Sequence, residues 1–187
     1  MNRPIVSVVG DRNLPESDPL SGLAEELGRA LVGAGYAVAT GGLGSLAAHI
    51  ASGARSSEEY REGRLIAVLP GFDPAAAECK ADIVLATGLD HARNFIVANS
   101  DAVVALGGGA GTLSEIGFAW ALHRLVIAYR VNGWSGKVAD TKIDERIRYP
   151  DIPEDRVYGV DTAFEVLALL SKFLPLYQRR HQRIPDR

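Results

Sequence analysis

Two hydrophobic patterns alternate along this chain. Short, continuous apolar runs are typical of parallel strands that are buried on both faces, whereas apolar residues that recur at helical spacing indicate amphipathic helices. Their alternation predicts a single α/β domain, built as a doubly wound, mainly parallel sheet with helices on both faces. The strand-like runs are 5–9, 36–40, 65–69, 83–86, 102–106, 125–129 and 157–160, and the helical patterns are 20–32, 46–54, 92–99, 113–122 and 163–174.

The C-terminal third departs from this alternation in two places. Residues 133–153 carry a charged patch and the prolines Pro150 and Pro153, and we predict a surface excursion or a partner-contacting loop there rather than a domain boundary. We therefore place one domain at 1–177 and a basic tail at 178–187, whose arginines either form a solvated helix end or meet an anionic partner. The tail arginines are Arg179, Arg180, Arg183 and Arg187.

Glycine-rich segments follow three of the predicted strands, at 10–13, 40–45 and 106–115. In an open parallel sheet, ligands bind beyond the carboxyl ends of the strands, near the point where the strand order reverses. Segment 106–115 leads from a strand into a helix, so its small residues would let a ligand approach main-chain amides, and the positive end of the helix would favour an anion. The sequence therefore predicts a phosphate site at Gly108, Gly109, Ala110, Gly111 and Thr112.

Two interpretations of Glu115, one helical turn beyond these amides, are open. A carboxylate beside a bound phosphate is unfavourable on charge alone, so its position suggests chemistry next to the phosphate. The run from Thr112 to Glu115 also fits a capping box, in which both residues would only close the start of the helix. Arg93 could pair with Glu115 or hold phosphate oxygens through its planar guanidinium, or it could be an ordinary exposed helix arginine.

Several familiar cofactor and metal sites do not fit the motifs. The Walker loop requires a lysine before its Ser or Thr, and the dinucleotide fingerprint requires a third glycine where Thr112 stands. No lysine stands in the three glycine-rich segments for a pyridoxal phosphate linkage. His91, two residues before Arg93, is a minor candidate for an acid or base, because a histidine at a helix start is more often only a surface polar group. His123 and His181 have no carboxylate or histidine at ligand spacing. We therefore expect neither a cofactor nor a metal.

Composition narrows the range of partners and compartments. The 187 residues carry a formal net charge of −3, whereas nucleic-acid-binding proteins normally show a basic face. The single cysteine, Cys79, permits no intrachain disulfide and suits a reducing cytosol. No apolar stretch approaches the roughly 20 residues of a membrane-spanning helix. We expect a cytoplasmic protein that binds neither nucleic acid nor membranes.

Three motifs together resemble the LOG family of Rossmann-like nucleotide-binding proteins, which includes the Lonely guy phosphoribohydrolases and proteins once labelled lysine decarboxylases. The resemblance covers roughly residues 5–129, and its last motif is the most specific. The motifs are Thr40-Gly41-Gly42 followed by Ala51-Ser52-Gly53-Ala54, Thr87-Gly88 followed by Ala92-Arg93-Asn94, and Gly108-Gly109-Ala110-Gly111-Thr112-Leu113-Ser114-Glu115.

In enzymatic members of that family, a Pro-Gly-Gly-x-Gly-Thr-x-x-Glu loop and an Arg-Lys pair hydrolyse the N-glycosidic bond of nucleoside 5′-monophosphates. Two positions of this chain depart from that pattern, because Gly107 replaces the proline and Asn94 replaces the lysine. Both departures resemble the branch that contains the molybdenum cofactor carrier protein. The matching positions are Gly108, Gly109, Gly111, Thr112 and Glu115 in the loop and Arg93 in the pair.

The resemblance implies two alternative functions for the predicted site. The first is hydrolysis of a nucleoside 5′-monophosphate to free base and ribose 5-phosphate, with Glu115 and Arg93 as catalytic residues. The second is a carrier or sensor of a phosphorylated small molecule, without turnover. Either ligand would also contact Asn94 and the other glycine segments, at Gly10, Asp11, Arg12, Gly41 and Gly42, the last two leaving room for the ribose or the base.

The resemblance also implies a homodimer or a higher homo-oligomer. LOG-type proteins commonly pair through helices beside the active site. In this chain those helices correspond to residues 93–99 and 118–122, which include Trp120. We therefore expect self-association through this face.

Overall fold

Seven parallel strands form one sheet within residues 3–14 and 17–180, which are the residues that this computed structural model describes. The strand order is β4-β3-β2-β1-β5-β6-β7, which confirms the predicted doubly wound, Rossmann-like fold. The strands are β1 (Ile5–Gly10), β2 (Ala37–Thr40), β3 (Leu65–Leu69), β4 (Ile83–Ala86), β5 (Ala102–Leu106), β6 (Leu125–Tyr129) and β7 (Tyr158–Val160).

Helices cover both faces of this sheet, because side chains of each strand alternate between two apolar layers. Along β5, Val104 and Leu106 pack into one layer, whereas Val103 and Ala105 pack into the other. The first layer contains α1 (Pro19–Gly33), α2 (Gly44–Arg55) and α6 (Ala163–Phe173), and the second contains α3 (Asn94–Ala98), α4 (Ala110–Ala121) and α5 (Trp134–Val138).

Side-chain caps account for the starts of two long helices. The Asp18 carboxylate accepts a hydrogen bond from the Leu20 N–H at the start of α1, and a proline occupies the first helical position. In α6, Thr162 and Glu165 form a capping box. Two short 3-10 turns, Pro74–Ala76 and Asp90–Arg93, flank β4.

Residues 133–153 are only in part the predicted surface excursion, because residues 140–147 are largely exposed whereas both ends of the segment pack onto the domain. They contain α5 and the buried side chains of Arg148, Tyr149 and Ile152. The Arg148 guanidinium lies 3.5 Å from the centre of the Trp120 ring and forms a two-pronged ion pair with Asp155. A buried arginine is stable only when it is paired and hydrogen-bonded, so this cluster fixes the segment to the core.

The described part of the basic tail also packs onto the domain. Arg179 donates to the Arg148 carbonyl, and Arg180 pairs with Asp101. Arg183 and Arg187 lie outside the described residues. No helix in the described ranges is long and apolar enough to cross a membrane.

The strand order reverses between β1 and β5. The chain runs outward in one direction from β1 to β4, and then returns to place β5 on the other side of β1. The loops that leave the carboxyl ends of β1 and β5 therefore diverge to opposite faces of the sheet and leave a crevice between them, the usual ligand position in such folds.

Candidate functional site

A crevice of about 180 Å³ opens at this reversal point. It brings together residues from the ends of β1 and β2, the starts of α2 and α4, and the 3-10 turn Asp90–Arg93. The predicted site residues that line it are Gly10, Asp11, Arg12, Gly41, Arg93, Asn94, Gly109, Gly111, Thr112 and Glu115, and the minor candidate His91 lies there too. The lining also includes Thr40, Leu43, Leu46 and Ala47, which were not predicted as site residues. Gly42, Gly108 and Ala110 are not part of that lining.

The loops that follow β1 and β5 touch each other at the floor of the crevice. A Cβ on Gly10 would overlap the Leu106 carbonyl oxygen, so only glycine permits this close approach. The Thr112 hydroxyl donates to the Gly10 carbonyl at 3.2 Å. Thr112 therefore fastens the start of α4 to the end of β1.

The capping-box interpretation of Thr112 and Glu115 is wrong. Helix α4 begins at Ala110, with Gly109 as its cap residue, and no side chain caps its first turn. Thr112 is thus already helical, and its hydroxyl contacts β1 rather than a helix amide. The start of α4 is open because Gly109 has no side chain to occupy it.

Only part of the predicted phosphate cradle has amides without a protein acceptor. The Gly108 N–H donates to the Asp11 carboxylate at 2.9 Å, and the Gly107 N–H donates to the Ser135 hydroxyl at 2.8 Å. These two amides hold the loop in place, which corrects the prediction for Gly108. Since the first turn of a helix has no acceptors within the helix, the amides from Gly109 to Thr112 remain for an anion.

Helix α5 supports this loop from behind, and the sequence pattern did not reveal it. The Trp134 and Ser135 amides donate to the carbonyls of Gly108 and Gly107 at 2.9 and 3.0 Å. Gly107 has a φ of +72°, which proline cannot adopt, and proline would also lack the amide that binds Ser135. The loop conformation thus requires glycine at the position where the LOG pattern has proline.

The second glycine segment makes room for Arg93 rather than for a ligand. A Cβ on Gly41 would overlap the Arg93 guanidinium, which therefore lies directly on the main chain of residue 41. A Cβ on Gly42 would meet Ala67 and Leu69 of β3 instead. The room that we assigned to ribose or base at Gly41 is thus occupied by a cation, and Gly42 faces away from the crevice.

Arg93 and Glu115 are a buried pair of opposite charge without a direct hydrogen bond. Arg93 Nη1 lies 3.9 Å from Glu115 Oε1, and both side chains are largely buried. Burial raises the pKa of Glu115 to about 7, although the Arg93 charge opposes this shift. Burial lowers the pKa of Arg93, and the nearby Glu115 charge acts against this change.

One polar atom of this pair has no hydrogen-bond partner within the described part of the chain. Arg93 Nη1 is buried without a hydrogen-bond partner. The Glu115 carboxylate has the Arg93 guanidinium as its charged partner, at 3.9 Å. Buried polar groups are nearly always paired in native proteins, and this pair offers both a hydrogen-bond donor and an acceptor to a bound molecule.

Asn94 holds two helices together. Its Nδ2 donates to the Ser114 hydroxyl at 2.8 Å and, more weakly, to the Gly111 carbonyl at 3.5 Å. The side chain is buried. The amide therefore positions α3 against α4 at the place where the LOG pair has lysine.

One histidine lines the crevice. His91 lines the crevice but is exposed. Among the described residues, no group of three or more His, Cys, Asp or Glu side chains could hold a metal ion.

Comparisons with known proteins agree with this architecture. The model of the SLOG cluster4 family matches residues 3–155. An uncharacterized protein from Archaeoglobus fulgidus is 38% identical over 98 residues, a match that covers 52% of this chain and 62% of that relative.

Solved structures resemble nearly the whole chain. The X-ray structure of TM1055 has a TM-score of 0.76 and 28% identity, and the match covers 91% of this chain and 99% of that one. The molybdenum cofactor binding protein from Rippkaea orientalis has a TM-score of 0.72 and 27% identity, covering 93% and 99%. The Moco carrier protein from Chlamydomonas reinhardtii has a TM-score of 0.72 and 25% identity, covering 94% and 99%. These matches confirm the resemblance to the LOG-type proteins and their carrier branch.

Proposed function

The chain belongs to the SLOG cluster4 family, and from that premise we propose that its crevice binds a nucleoside 5′-monophosphate and hydrolyses the N-glycosidic bond. The observation that carries this proposal is the buried pair of Arg93 and Glu115, whose charged groups lie 3.9 Å apart beside the uncapped start of α4. The amides from Gly109 to Thr112 would hold the phosphate, as helix starts commonly do. Arg93 would complete the anion site from the opposite side.

The position of Glu115 suits chemistry on the sugar. A phosphate on the first turn of α4 would place the ribose near the next turn, where the carboxylate lies. The bond between C1′ and the base nitrogen would break with its electron pair leaving on the base, and a water oxygen would bond to C1′. Glu115 in its ionised form would stabilise the positive charge that develops on the ribose and accept the proton of the attacking water, as carboxylates do in glycosidases.

The pKa of Glu115 matters for this step. At about 7, ionised and protonated forms coexist near neutral pH. A carboxyl group that titrates at the working pH can both accept and return a proton. The proton taken from water would then pass to the departing base, so that the products are free base and ribose 5-phosphate.

The size of the crevice limits how much ligand it can enclose. Its volume of about 180 Å³ is below the roughly 300–1,000 Å³ of typical pockets for drug-sized ligands. The phosphate and the sugar would lie inside, and the base would extend over the rim. This arrangement favours recognition of the phosphosugar over recognition of the base.

A carrier or sensor of a phosphorylated ligand is the second candidate function. Asn94 is locked to Ser114 at the position of the LOG lysine, so a second cation is absent there. Two of the similar solved structures are a molybdenum cofactor binding protein and a Moco carrier protein. In that case Arg93 and the α4 amides would hold the ligand phosphate, and Glu115 would have no substrate bond to act on.

We also propose a homodimer that pairs through the face formed by α3 and α4. Phe95, Ile96 and Phe118 are partly exposed there, and the Phe95 and Phe118 rings contact each other edge to face at 5.4 Å. Exposed apolar clusters of this kind commonly mark interfaces. Trp120 does not take part, because its side chain is buried against Arg148.

A base-release assay separates the two candidate functions. The protein is incubated with AMP, GMP, CMP and UMP, and free bases are measured by chromatography alongside binding by calorimetry. Release that is lost in Glu115→Gln with binding retained supports the hydrolase. Binding of any of the four without release by the wild-type protein removes the enzymatic proposal and leaves the carrier.

A further inference from the structure

Two units form the crevice, each made of a strand, a glycine-rich turn and a helix. They differ in whether protein groups occupy the amides at the helix start. The start of α4 is uncapped, whereas both leading amides of α2 are occupied by protein groups. The Gly44 N–H donates to the Glu78 carboxylate at 2.5 Å, and the Ser45 N–H donates to the Arg12 carbonyl at 2.8 Å. One helix start can receive an anion from solution, and the other already holds a carboxylate.

Glu78 reaches α2 from a distant segment. It precedes β4 in the chain, and its own N–H donates to the Gly42 carbonyl at 2.9 Å. Its other carboxylate oxygen lies 3.5 Å from Arg12 Nη2. The main-chain bond and the ion pair hold the carboxylate between a helix start and a cation, which are the two groups that would otherwise attract a phosphate.

Arg12 connects this arrangement to the ligand crevice. Arg12 lines the crevice together with Leu43, Leu46 and Ala47 of the α2 start. A ligand that carries one phosphate on α4 and extends toward α2 would bring a second phosphate to Arg12 and the Gly44 amide. There it would meet the negative charge of Glu78, whose carboxylate contacts both groups.

We propose that Glu78 is a specificity-determining residue that restricts the crevice to ligands with a single phosphate. Its carboxylate occupies the second anion position and repels the additional phosphate of a nucleoside diphosphate. This inference rests on the proposed nucleotide site at α4, because it assumes that the first phosphate is bound there. In this proposal, the side of the crevice formed by the start of α2 excludes ligands with a second phosphate.

The test compares ligands that differ by one phosphate, in the wild-type protein and in two variants. Calorimetry gives the dissociation constants of AMP, ADP, inorganic phosphate and pyrophosphate for wild type, Glu78→Gln and Glu78→Ala. The matched control is Glu58→Gln, which removes the same charge from an exposed glutamate near the other end of α2. Circular dichroism and thermal unfolding report whether each variant is folded.

We expect wild type to bind AMP more tightly than ADP. Removing one charge at hydrogen-bond range from the second phosphate should raise the ADP-to-AMP affinity ratio by about tenfold or more in Glu78→Ala, and by less in Glu78→Gln, which keeps an amide oxygen at the position. The same order should hold for pyrophosphate against phosphate. The Glu58→Gln ratio should match wild type.

The possible failures are distinguishable. If AMP binds but the ADP-to-AMP ratio is the same in all four proteins, the role of Glu78 is overturned while the nucleotide site stands. If AMP does not bind but pyrophosphate binding improves only in the Glu78 variants, the proposed nucleotide ligand is wrong and the exclusion by Glu78 stands. If no phosphate compound binds any of the proteins, both are overturned.

Discussion

Arg93 Nη1 and Glu115 Oε1 lie 3.9 Å apart in a largely buried environment, beyond hydrogen-bond distance. The protein thus keeps a guanidinium and a carboxyl group near each other without letting them satisfy one another. Removing charges from water costs stability unless they are well paired. We interpret the gap between them as space for ligand atoms. The loss of stability is then a consequence of holding both groups in position for a ligand.

This cost should appear in the pH dependence of stability. Glu115 has a pKa of about 7 in the folded protein and about 4.5 when exposed, so the folded state holds the proton over a range in which the unfolded state has released it. Stability from this group therefore falls as the pH rises from about 4.5 to 7. Glu115→Gln should be more stable than wild type by roughly 3 kcal/mol at pH 8 and nearly equal near pH 4.5.

Urea unfolding of both proteins at several pH values measures this difference. If the free energies of unfolding of wild type and Glu115→Gln change in parallel between pH 5 and 8, the pKa of Glu115 is not raised and the prediction is wrong. Glu58→Gln provides the control, because it removes the same charge from an exposed position.

Ligand affinity should also depend on the ionisation of Glu115. The direction is opposite to that for catalysis, because the ionised form favours the reaction and disfavours phosphate binding. An ionised Glu115 repels a phosphate, so AMP affinity should fall as the pH rises from 6 to 8. Glu115→Gln should lose that part of the pH dependence while keeping the part that comes from the ionisation of AMP itself. Calorimetric titrations of both proteins at pH 6, 7 and 8 make the comparison, and identical profiles would contradict the prediction.

Gly41→Ala should weaken ligand binding without unfolding the protein. The new methyl group would overlap the Arg93 guanidinium, whose flexible side chain can move away. Loss of one charge-assisted contact should reduce AMP affinity about 10- to 100-fold. Gly117→Ala is the matched control, because a methyl group on that residue of α4 meets nothing within 4 Å.

An unchanged AMP affinity in Gly41→Ala would show that Arg93 does not contact the ligand. A loss of equal size in Gly117→Ala would instead indicate a general effect on α4. The thermal unfolding temperature of each variant identifies any loss of structure.

Gly107→Pro should destabilise the protein rather than restore the LOG loop. Residue 107 has a φ of +72°, and its amide donates to Ser135. Proline can provide neither, so we expect a loss of about 3 kcal/mol or more in the free energy of unfolding. Ser135→Ala removes only the hydrogen bond and should cost about 1–2 kcal/mol. A Gly107→Pro protein as stable as wild type would contradict the described loop.

The sequence pattern was sufficient for the sheet but not for the contacts that shape the site. Continuous apolar runs such as β5 and β6 are long enough to identify buried strands. Helix α4 begins three residues before the predicted start, because small residues at 110 and 111 carry no apolar signal. Its true cap, Gly109, is invisible to a search for capping side chains.

The sequence could not predict hydrogen-bond partners that are far apart in the chain, for a different reason. Ser135 meets Gly107 across 28 positions, and Glu78 meets Gly44 across 34. Neither residue stands in a motif, and each acts only because the strand order brings its segment to the crevice. Arg148 is similar, since a charged residue that closes a charged stretch just before Pro150 indicates exposure until its partner Asp155 is known.

The proposed dimer can be tested on its apolar face. Phe95→Asp places a charge beside Phe118 and should shift the protein from dimer to monomer in size-exclusion chromatography with light scattering. Phe164→Asp is the control, because Phe164 is more exposed and lies on α6, in the opposite layer. A monomeric wild type, or a dimer in both variants, would rule out this face.

The contacts that close the floor of the crevice also determine at which stage of folding the crevice can form. Asp11 binds the Gly108 amide across 97 positions, and Thr112 binds the Gly10 carbonyl across 102. Contacts of such long range form slowly, because a large loop must first lose its entropy. A ligand that needs both loops can bind only after the central strands have paired, so it would stabilise the completed chain and no earlier intermediate.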